Sequence, residues 1–136
     1  MALSLCQAPV PMLKRFLPLL FAPLLITGCT STFTNLTPLH QTRNANNLYP
    51  VEVAMTSRQQ SLRWDTIHPQ IMVGTDLYPM RSTTLMTNRW EGLVPVPPNS
   101  NLVHYRYKFD FEYNAVGTTK PDSALSPEYT LNITEP

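Results

Sequence analysis

The stretch LVHYRYKFDFEY, at residues 102–113, decides the fold of this chain. From position 103 onward, every odd-numbered residue is Val, Tyr or Phe, and every even-numbered residue is charged or His. Successive side chains of a strand point to opposite faces of a sheet, so the pattern predicts one long strand with an apolar face and a wet face. A helix would spread the same aromatic residues around its whole circumference. We therefore expect the central strand of an antiparallel sheet that packs on one side and meets water on the other.

Similar but shorter alternating patterns predict several further strands. Their spacing of roughly ten residues gives six to eight strands in all. They fall at residues 48–55, 61–67, 70–73, 77–80, 81–87, 90–96 and 128–134. His68-Pro69 is expected to separate the second and third of them, and residues 122–127 are expected to form a loop. The five residues 97–101, PPNSN, predict a hairpin between the strand at 90–96 and the central strand.

Composition agrees with an all-β body. The chain of 136 residues has fourteen prolines and four glycines, which favours short strands with proline-punctuated loops over helices. The pattern indicates a two-sheet antiparallel sandwich over residues 48–136. It resembles that of immunoglobulin-like or fibronectin-type bacterial domains, although the paired cysteines of antibody domains are absent. The resemblance implies an immunoglobulin-like fold.

Residues 12–28 have the layout of a secretory signal peptide. Lys14 and Arg15 give a positive start, and an apolar run follows at 16–26. The run is too short to span a bilayer core of about 30 Å, which disfavours a membrane-spanning helix. Residues 1–11 carry no Lys or Arg, so we expect translation to start at Met12, with residues 1–28 of the printed chain absent from the mature protein.

The end of this segment, Ile26-Thr27-Gly28-Cys29, resembles the bacterial lipobox. The resemblance implies that the precursor is cleaved between Gly28 and Cys29, and that Cys29 receives a diacylglyceryl group on sulfur and an acyl chain, such as palmitate, on its new amino group. Several acyl chains together anchor a protein stably to a membrane. Thr30, where enterobacterial sorting uses Asp for retention, implies the outer membrane. A free thiol or disulfide half is the alternative role for Cys29, but the mature chain offers no second cysteine.

Residues 29–47 are predicted to be the lipidated cysteine and a flexible tether. The segment is rich in Thr and Asn and has little apolar periodicity. His40 lies within it and is expected to be solvated, because no second metal-ligating residue follows at a suitable spacing.

The remaining patterns favour binding over catalysis. There is no Gly-x-Ser-x-Gly elbow and no phosphate or dinucleotide motif, and the three histidines lack metal-ligand spacing. The net charge of +1 gives no basic footprint for nucleic acid. We therefore expect a non-catalytic protein with no cofactor and no metal site.

Two kinds of binding remain open at this point. In the first, the protein is a structural or adaptor module of the cell envelope, and an edge strand at 48–55 or 128–134 pairs with a strand of an envelope protein. In the second, Trp64, Tyr78 and Trp90 form a platform for sugar rings or another ligand. The segment from 90 to 107 resembles starch-binding sandwich modules, in which a Trp-led strand precedes a Tyr-rich one. Against this, large aromatic residues of sandwiches usually belong to the core.

Overall fold

The computed structural model describes residues 31–136, and this part of the chain is made of strands without any helix. It therefore contains no helix that could cross a membrane. The strands are β1 (Ser31–Asn35), β2 (His40–Thr42), β3 (Leu48–Ser57), β4 (Leu62–Val73), β5 (Asp76–Pro79), β6 (Arg81–Ser82), β7 (Arg89–Pro95), β8 (Leu102–Ala115), β9 (Thr118–Leu125) and β10 (Tyr129–Thr134).

The strands form two sheets that pack face to face. One sheet has the order β1-β3-β7-β6, and the other has the order β2-β10-β8-β4-β5 with β9 also paired to β8. All of these pairs are antiparallel except β2 and β10, which run parallel. The prediction of an all-β, two-sheet sandwich is confirmed at this level.

The predicted apolar face of β8 lies at the centre of the core. The odd-numbered residues from Val103 to Phe111 are buried, while Tyr113 at the end of the face is half-buried. Phe109 joins the sheets, because its ring meets those of Trp90 and Phe33 edge to face at centroid distances of 4.9 Å and 5.1 Å. Apolar residues of β3, β7 and β10 complete the core, and fully burying one such side chain stabilises the fold by roughly 2–3 kcal/mol.

The predicted hairpin between β7 and β8 is wrong. The two strands lie in different sheets, so residues 97–101 carry the chain across the sandwich instead of turning it within one sheet. Both strands present an apolar face to the core, and that pattern is the same whether two strands pair side by side or stack face to face. The edge-to-face contact between Trp90 and Phe109 is the stacked arrangement.

The segment predicted to be a flexible tether is folded from residue 31 onward. β1 pairs with β3 over five residues, and β2 pairs with β10. Polar side chains add to this: Gln41 Nε2 donates to the Pro50 carbonyl at 2.8 Å, and Arg43 Nη2 donates to the Ser100 carbonyl at 2.8 Å. Short strands that owe their conformation to hydrogen-bonded pairing need little apolar periodicity of their own, which is why the sequence pattern missed them.

The same two strands overturn the prediction of where the sheet edges lie. The strand predicted at 48–55 is β3, which lies between β1 and β7, and the strand predicted at 128–134 is β10, which lies between β2 and β8. Pro50 is accommodated inside its sheet because β1 pairs only with the second half of β3, from Val53 to Ser57. Neither predicted edge is open along its whole length to a partner strand.

The strands predicted at 61–67 and 70–73 are one strand, β4, and His68-Pro69 lies inside it. The pairing of β4 with β8 is interrupted between Arg63 and His68, where an irregularity shifts the register. Four residues of β4, 64–67, stand opposite the single residue Phe111 of β8, and an odd number of extra residues reverses which side chains face the core. Leu62 is therefore buried at an even position and Ile71 at an odd position, while Trp64, in phase with Leu62, is 45% exposed.

Residues 122–127, predicted to be a loop, are largely strand. β9 covers Thr118–Leu125 and forms a hairpin with β8, with the tip at Gly117, where a positive φ of 72° suits glycine. The sequence TTKPDSAL has no apolar alternation, because β9 is exposed on nearly every residue. The strand predicted at 81–87 shrinks to β6, Arg81–Ser82, and continues as an exposed loop.

Candidate binding surfaces

The three aromatic residues predicted to form a platform do not share one surface. Trp90 is only 4% exposed and belongs to the core, so this member of the platform is contradicted by the structure. Trp64 is 45% exposed and lies parallel to Trp90, with ring centroids 6.5 Å apart and an interplanar angle of 1°. Tyr78 is half-buried and packs against the core from β5.

Trp64 lines a hollow of about 460 Å³ at one end of the sandwich. Its other walls are the end of β3 and the loop before β7. They comprise Met55, Thr56, Ser57, Thr87 and Asn88. Trp64 is the one aromatic residue among those that line the hollow. The hollow therefore offers a single surface on which a ring could stack, and not a platform of several rings.

Tyr78 lines a separate groove of about 580 Å³ at the side of the sandwich, which we call the Tyr78 groove. Its lining residues are Pro50, Tyr78, Pro79, Met80, Arg81, Glu91, Gly92 and Leu93. One wall is the crossing from β5 to β6, and the other is β7 with Pro50 of β3. The only charged pair in this lining is Arg81 with Glu91, whose Nε and Oε1 lie 2.9 Å apart. An apolar groove with one ion pair at its rim suits an apolar side chain or a short segment of a partner chain.

The Tyr78 groove runs along a strand edge that is partly unpaired. β6 pairs with only Glu91 and Trp90 of β7, so residues 92–95 have a strand neighbour on the β3 side alone. Gly92 lets the chain crossing approach closely, because a Cβ there would lie 2.7 Å from Ile71 Cδ1 and 3.3 Å from the Pro79 carbonyl oxygen. Leu93 next to it is 50% exposed and points away from the core.

Leu93 is a candidate binding residue that the sequence analysis passed over. The residues of β7 that face the core are Trp90, Val94 and, just beyond the strand, Val96. Leu93 is apolar but out of phase with this set, and such a position marks an apolar side chain on the outer face of a strand. The alternation of β7 therefore already indicated that Leu93 is an apolar residue on the outer face of the sheet.

A third concave surface is polar. It has a volume of about 680 Å³ and is lined by Asp65, Thr66, His68, Asp110, Phe111, Glu112, Pro121, Asp122 and Ser123. Basic residues already compensate most of its carboxylates: Lys108 Nζ lies 2.7 Å from Asp110 Oδ2, and Arg63 lies 3.3 Å from Asp65 and 3.4 Å from Glu112. Across residues 31–136, no group of three or more His, Cys, Asp or Glu side chains is arranged to hold a metal ion.

The most perturbed ionisable group, Tyr107, has a structural role. Its hydroxyl donates to Asn35 Oδ1 at 2.8 Å, and Thr37 Oγ1 lies 3.2 Å away. Burial raises the pKa of Tyr107 far above its ordinary value, with a smaller contribution from Tyr105 and in spite of the hydrogen bond with Thr37. The buried phenol lies between the two sheets and ties the link between β1 and β2 to the core.

The predicted lipidation residue Cys29 and the predicted cleavage site between Gly28 and Cys29 lie outside the described residues. Their assignment therefore rests on the sequence alone. The structure adds one fact about their surroundings: the first described residue, Ser31, already pairs with Ser57 as the start of β1.

Comparisons with known proteins give little further guidance. A scan against protein-family models and a search of curated proteins each found no match. Among solved structures, the chain is similar to a DUF4785 family protein from Legionella pneumophila, with 9% sequence identity and a TM-score of 0.41. The similarity covers 76% of this chain and 28% of that one, and at this level it supports no statement about function.

Proposed function

We propose that this chain is a non-catalytic lipoprotein of the bacterial envelope, anchored through acylated Cys29, that binds another envelope protein. The lipobox-like sequence supports the anchor, and Thr30 supports the outer membrane as its location. The Tyr78 groove supports the binding role, because it combines apolar walls with an unpaired strand edge. The protein acts as an adaptor between the membrane and its partner.

We propose that the finer architecture is immunoglobulin-like. In immunoglobulin domains the first, second, fifth and fourth strands form one sheet, and the last strands pair with the third in the other. The orders β1-β3-β7-β6 and β10-β8-β4-β5 match this plan when β1 and β2 are taken as one first strand divided between the sheets, and β9 and β10, which both pair with β8, as one last strand. The chain departs from the plan in having no inter-sheet disulfide and in exposing Trp64, the tryptophan of the third strand.

The partner is proposed to add a short strand beside β7. Exposed strand edges carry free backbone N–H and C=O groups, and partner chains use them for pairing. The free part of β7 is short and ends at Pro95, which limits pairing to a few residues. Specificity then comes from an apolar partner side chain in the Tyr78 groove. The observation that carries this proposal is Leu93, which is 50% exposed beside the unpaired edge.

Glycan binding is the competing proposal, and it has less support. A sugar platform needs planar rings on one accessible face. Trp90 is buried, and Trp64 and Tyr78 line different surfaces, so the three residues do not make such a face.

The test is photocrosslinking from defined positions of the full-length chain in intact bacterial cells. A photoreactive amino acid at position 93 is expected to capture one dominant envelope protein. The matched control is position 125 on β9, because Leu125 is similarly exposed but does not line the Tyr78 groove. The variant Pro50→Arg, combined with the probe at 93, is expected to lose the product, because Pro50 is exposed and lines the Tyr78 groove.

Equal capture from positions 93 and 125, or no protein product from 93, would contradict the proposed adaptor surface. In that case the full-length chain is applied to a panel of envelope polysaccharides. Retention that is lost in Trp64→Ala would favour the glycan proposal instead.

A further inference from the structure

The folded body begins almost at the anchor. One residue, Thr30, separates Cys29 from Ser31, and Ser31 is paired with Ser57 in the first position of β1. A chain extends by at most about 3.6 Å per residue, so the Cys29 backbone lies within about 7 Å of Ser31. If Cys29 is lipidated, as proposed above, the end of the sandwich that holds Ser31 is brought to the bilayer surface.

Three chain connections meet at this end, which we call the anchor-proximal end. The turn after β3 is there because Ser57 pairs with Ser31. The loop before β7 is there because the Met55 amide donates to the Asn88 carbonyl at 3.0 Å. The tip of the β8–β9 hairpin is there because the Asn114 amide donates to the Ser61 carbonyl at 2.8 Å.

These connections carry the most exposed apolar side chains in residues 31–136. Val116, at the hairpin tip, is fully exposed, and Leu85, in the loop before β7, is 91% exposed. Met86 is exposed beside Leu85, and Trp64 lies in the hollow that the same loop borders. Single exposed apolar residues are ordinary, but the two largest exposures both fall at the end that carries the anchor.

The charges at this end are compatible with a phospholipid surface. Arg58 and Lys120 are exposed, and neither makes an ion pair among the described residues. The nearby carboxylates of Asp65 and Glu112 are both paired with Arg63. Basic side chains are attracted to anionic lipid headgroups, and tryptophan favours the membrane–water interface.

We propose that the anchor-proximal end docks on the bilayer surface, with Leu85, Met86 and Val116 among the lipid headgroups and Trp64 at the interface. The docked surface is small, so the acyl chains supply the anchoring and these side chains set the orientation of the body. The Tyr78 groove, which includes Pro50 near the opposite end of β3, then lies at the side of the sandwich and outside the docked end.

The experiment reads the surroundings of single positions in the membrane-bound protein. The full-length chain is expressed in a Gram-negative host with an environment-sensitive fluorescent amino acid at position 85, 116 or 102. It is purified from membranes and reconstituted into vesicles of phosphatidylethanolamine and phosphatidylglycerol. Position 102 is the matched control, because Leu102 is exposed at the start of β8, at the opposite end of that strand from Val116.

Docking predicts that iodide quenching at positions 85 and 116 falls several-fold relative to the same chain released from the lipid, with a blue shift of emission. At position 102, iodide quenching is expected to be the same in vesicles as in the released chain. Equal quenching at all three positions in vesicles would overturn the proposal. The double variant Leu85→Glu with Val116→Glu, read by a probe at position 86, is expected to restore quenching without unfolding the chain, because both side chains are exposed.

The mass of the N-terminal peptide distinguishes a failure of the proposed lipidation of Cys29 from a failure of the proposed docking. If that peptide carries no acyl groups, the proposed lipoprotein function is wrong. Docking is then tested on the Cys6→Ser chain, with Cys29 coupled through its thiol to a maleimide phospholipid in the same vesicles. The same pattern of quenching decides for or against the docking surface.

Discussion

The Thr66 side chain makes hydrogen bonds where the backbone pairing between β4 and β8 is interrupted. Its hydroxyl donates to the Arg63 carbonyl at 2.7 Å and accepts from the Glu112 amide at 2.9 Å. These bonds span the irregularity in the pairing of β4 with β8, so β4 changes its phase and continues as one strand.

We expect Thr66→Val to destabilise the fold by about 1–2 kcal/mol, because the Glu112 amide loses its acceptor while the shape of the side chain is kept. Thr66→Ser keeps the hydroxyl and is the matched control, with a smaller loss. Urea unfolding of both variants checks this. A Thr66→Val chain as stable as wild type would show that the hydroxyl does not hold the irregularity.

Tyr107 is expected to make the free energy of unfolding depend on pH in the alkaline range. The pKa of Tyr107 is raised by burial, so above the ordinary tyrosine pKa of about 10 the unfolded chain loses this proton while the folded chain keeps it. The unfolded state then binds fewer protons, and the free energy of unfolding falls as the pH rises, by up to about 1.4 kcal/mol per pH unit for this group. Below about pH 10 the contribution is fully present.

Tyr107→Phe is expected to destabilise the fold at neutral pH by about 1–2 kcal/mol, because Asn35 loses its donor, and to flatten the alkaline decline. Urea unfolding between about pH 8 and about pH 11 measures both effects. Tyr113→Phe is the control at neutral pH, because the Tyr113 hydroxyl makes no hydrogen bond within residues 31–136. An unchanged alkaline slope in Tyr107→Phe would assign the decline to other groups.

The strands that could be predicted from the sequence are those that carry their own apolar face. β3, β8 and β10 each bury alternate residues, and the alternation alone identified them. β1, β2 and β9 lack such a face, because backbone pairing with a neighbour makes them strands. Alternation also cannot tell which sheet a strand joins, which is why the β7–β8 hairpin was predicted wrongly.

The candidate site was predictable only in part, for the same reason. Tyr78 lines a groove, but neither tryptophan with which it was predicted to form a platform lines the same groove. Trp90 and Trp64 could not be assigned from the alternation, because each lies in phase with a buried neighbour, Val94 or Leu62, yet only Trp90 is buried. Leu93 was visible as an out-of-phase residue, but its meaning depends on β6 ending after two residues.

Hydrogen exchange tests whether residues 31–43 are folded elements instead of a tether. The Leu36 amide donates to the Glu52 carbonyl at 2.9 Å, and the Arg43 amide donates to the Thr134 carbonyl at 2.8 Å. We expect peptides from this segment to exchange slowly, while the exposed loop at 84–88 exchanges fast. Fast exchange across both segments would mean that β1 and β2 do not persist in solution.

The two proposed contact surfaces lie in different parts of the molecule. The anchor-proximal end meets the bilayer through apolar loop residues, and the Tyr78 groove lies at the side of the sandwich near Pro50 and Leu93. Because β1 begins at Ser31, little slack remains between Cys29 and the body. The adaptor is therefore proposed to hold its partner at a fixed height and orientation above the membrane.

The measurement that tests this account most directly is metabolic labelling of the full-length chain with palmitate in a Gram-negative host, followed by membrane fractionation. Wild type and Cys6→Ala are predicted to be labelled and to sediment with membranes, and Cys29→Ala is predicted to lose both properties. Labelling that survives in Cys29→Ala, or a wild-type chain that is unlabelled and remains in the soluble fraction, would contradict the lipid-anchored module.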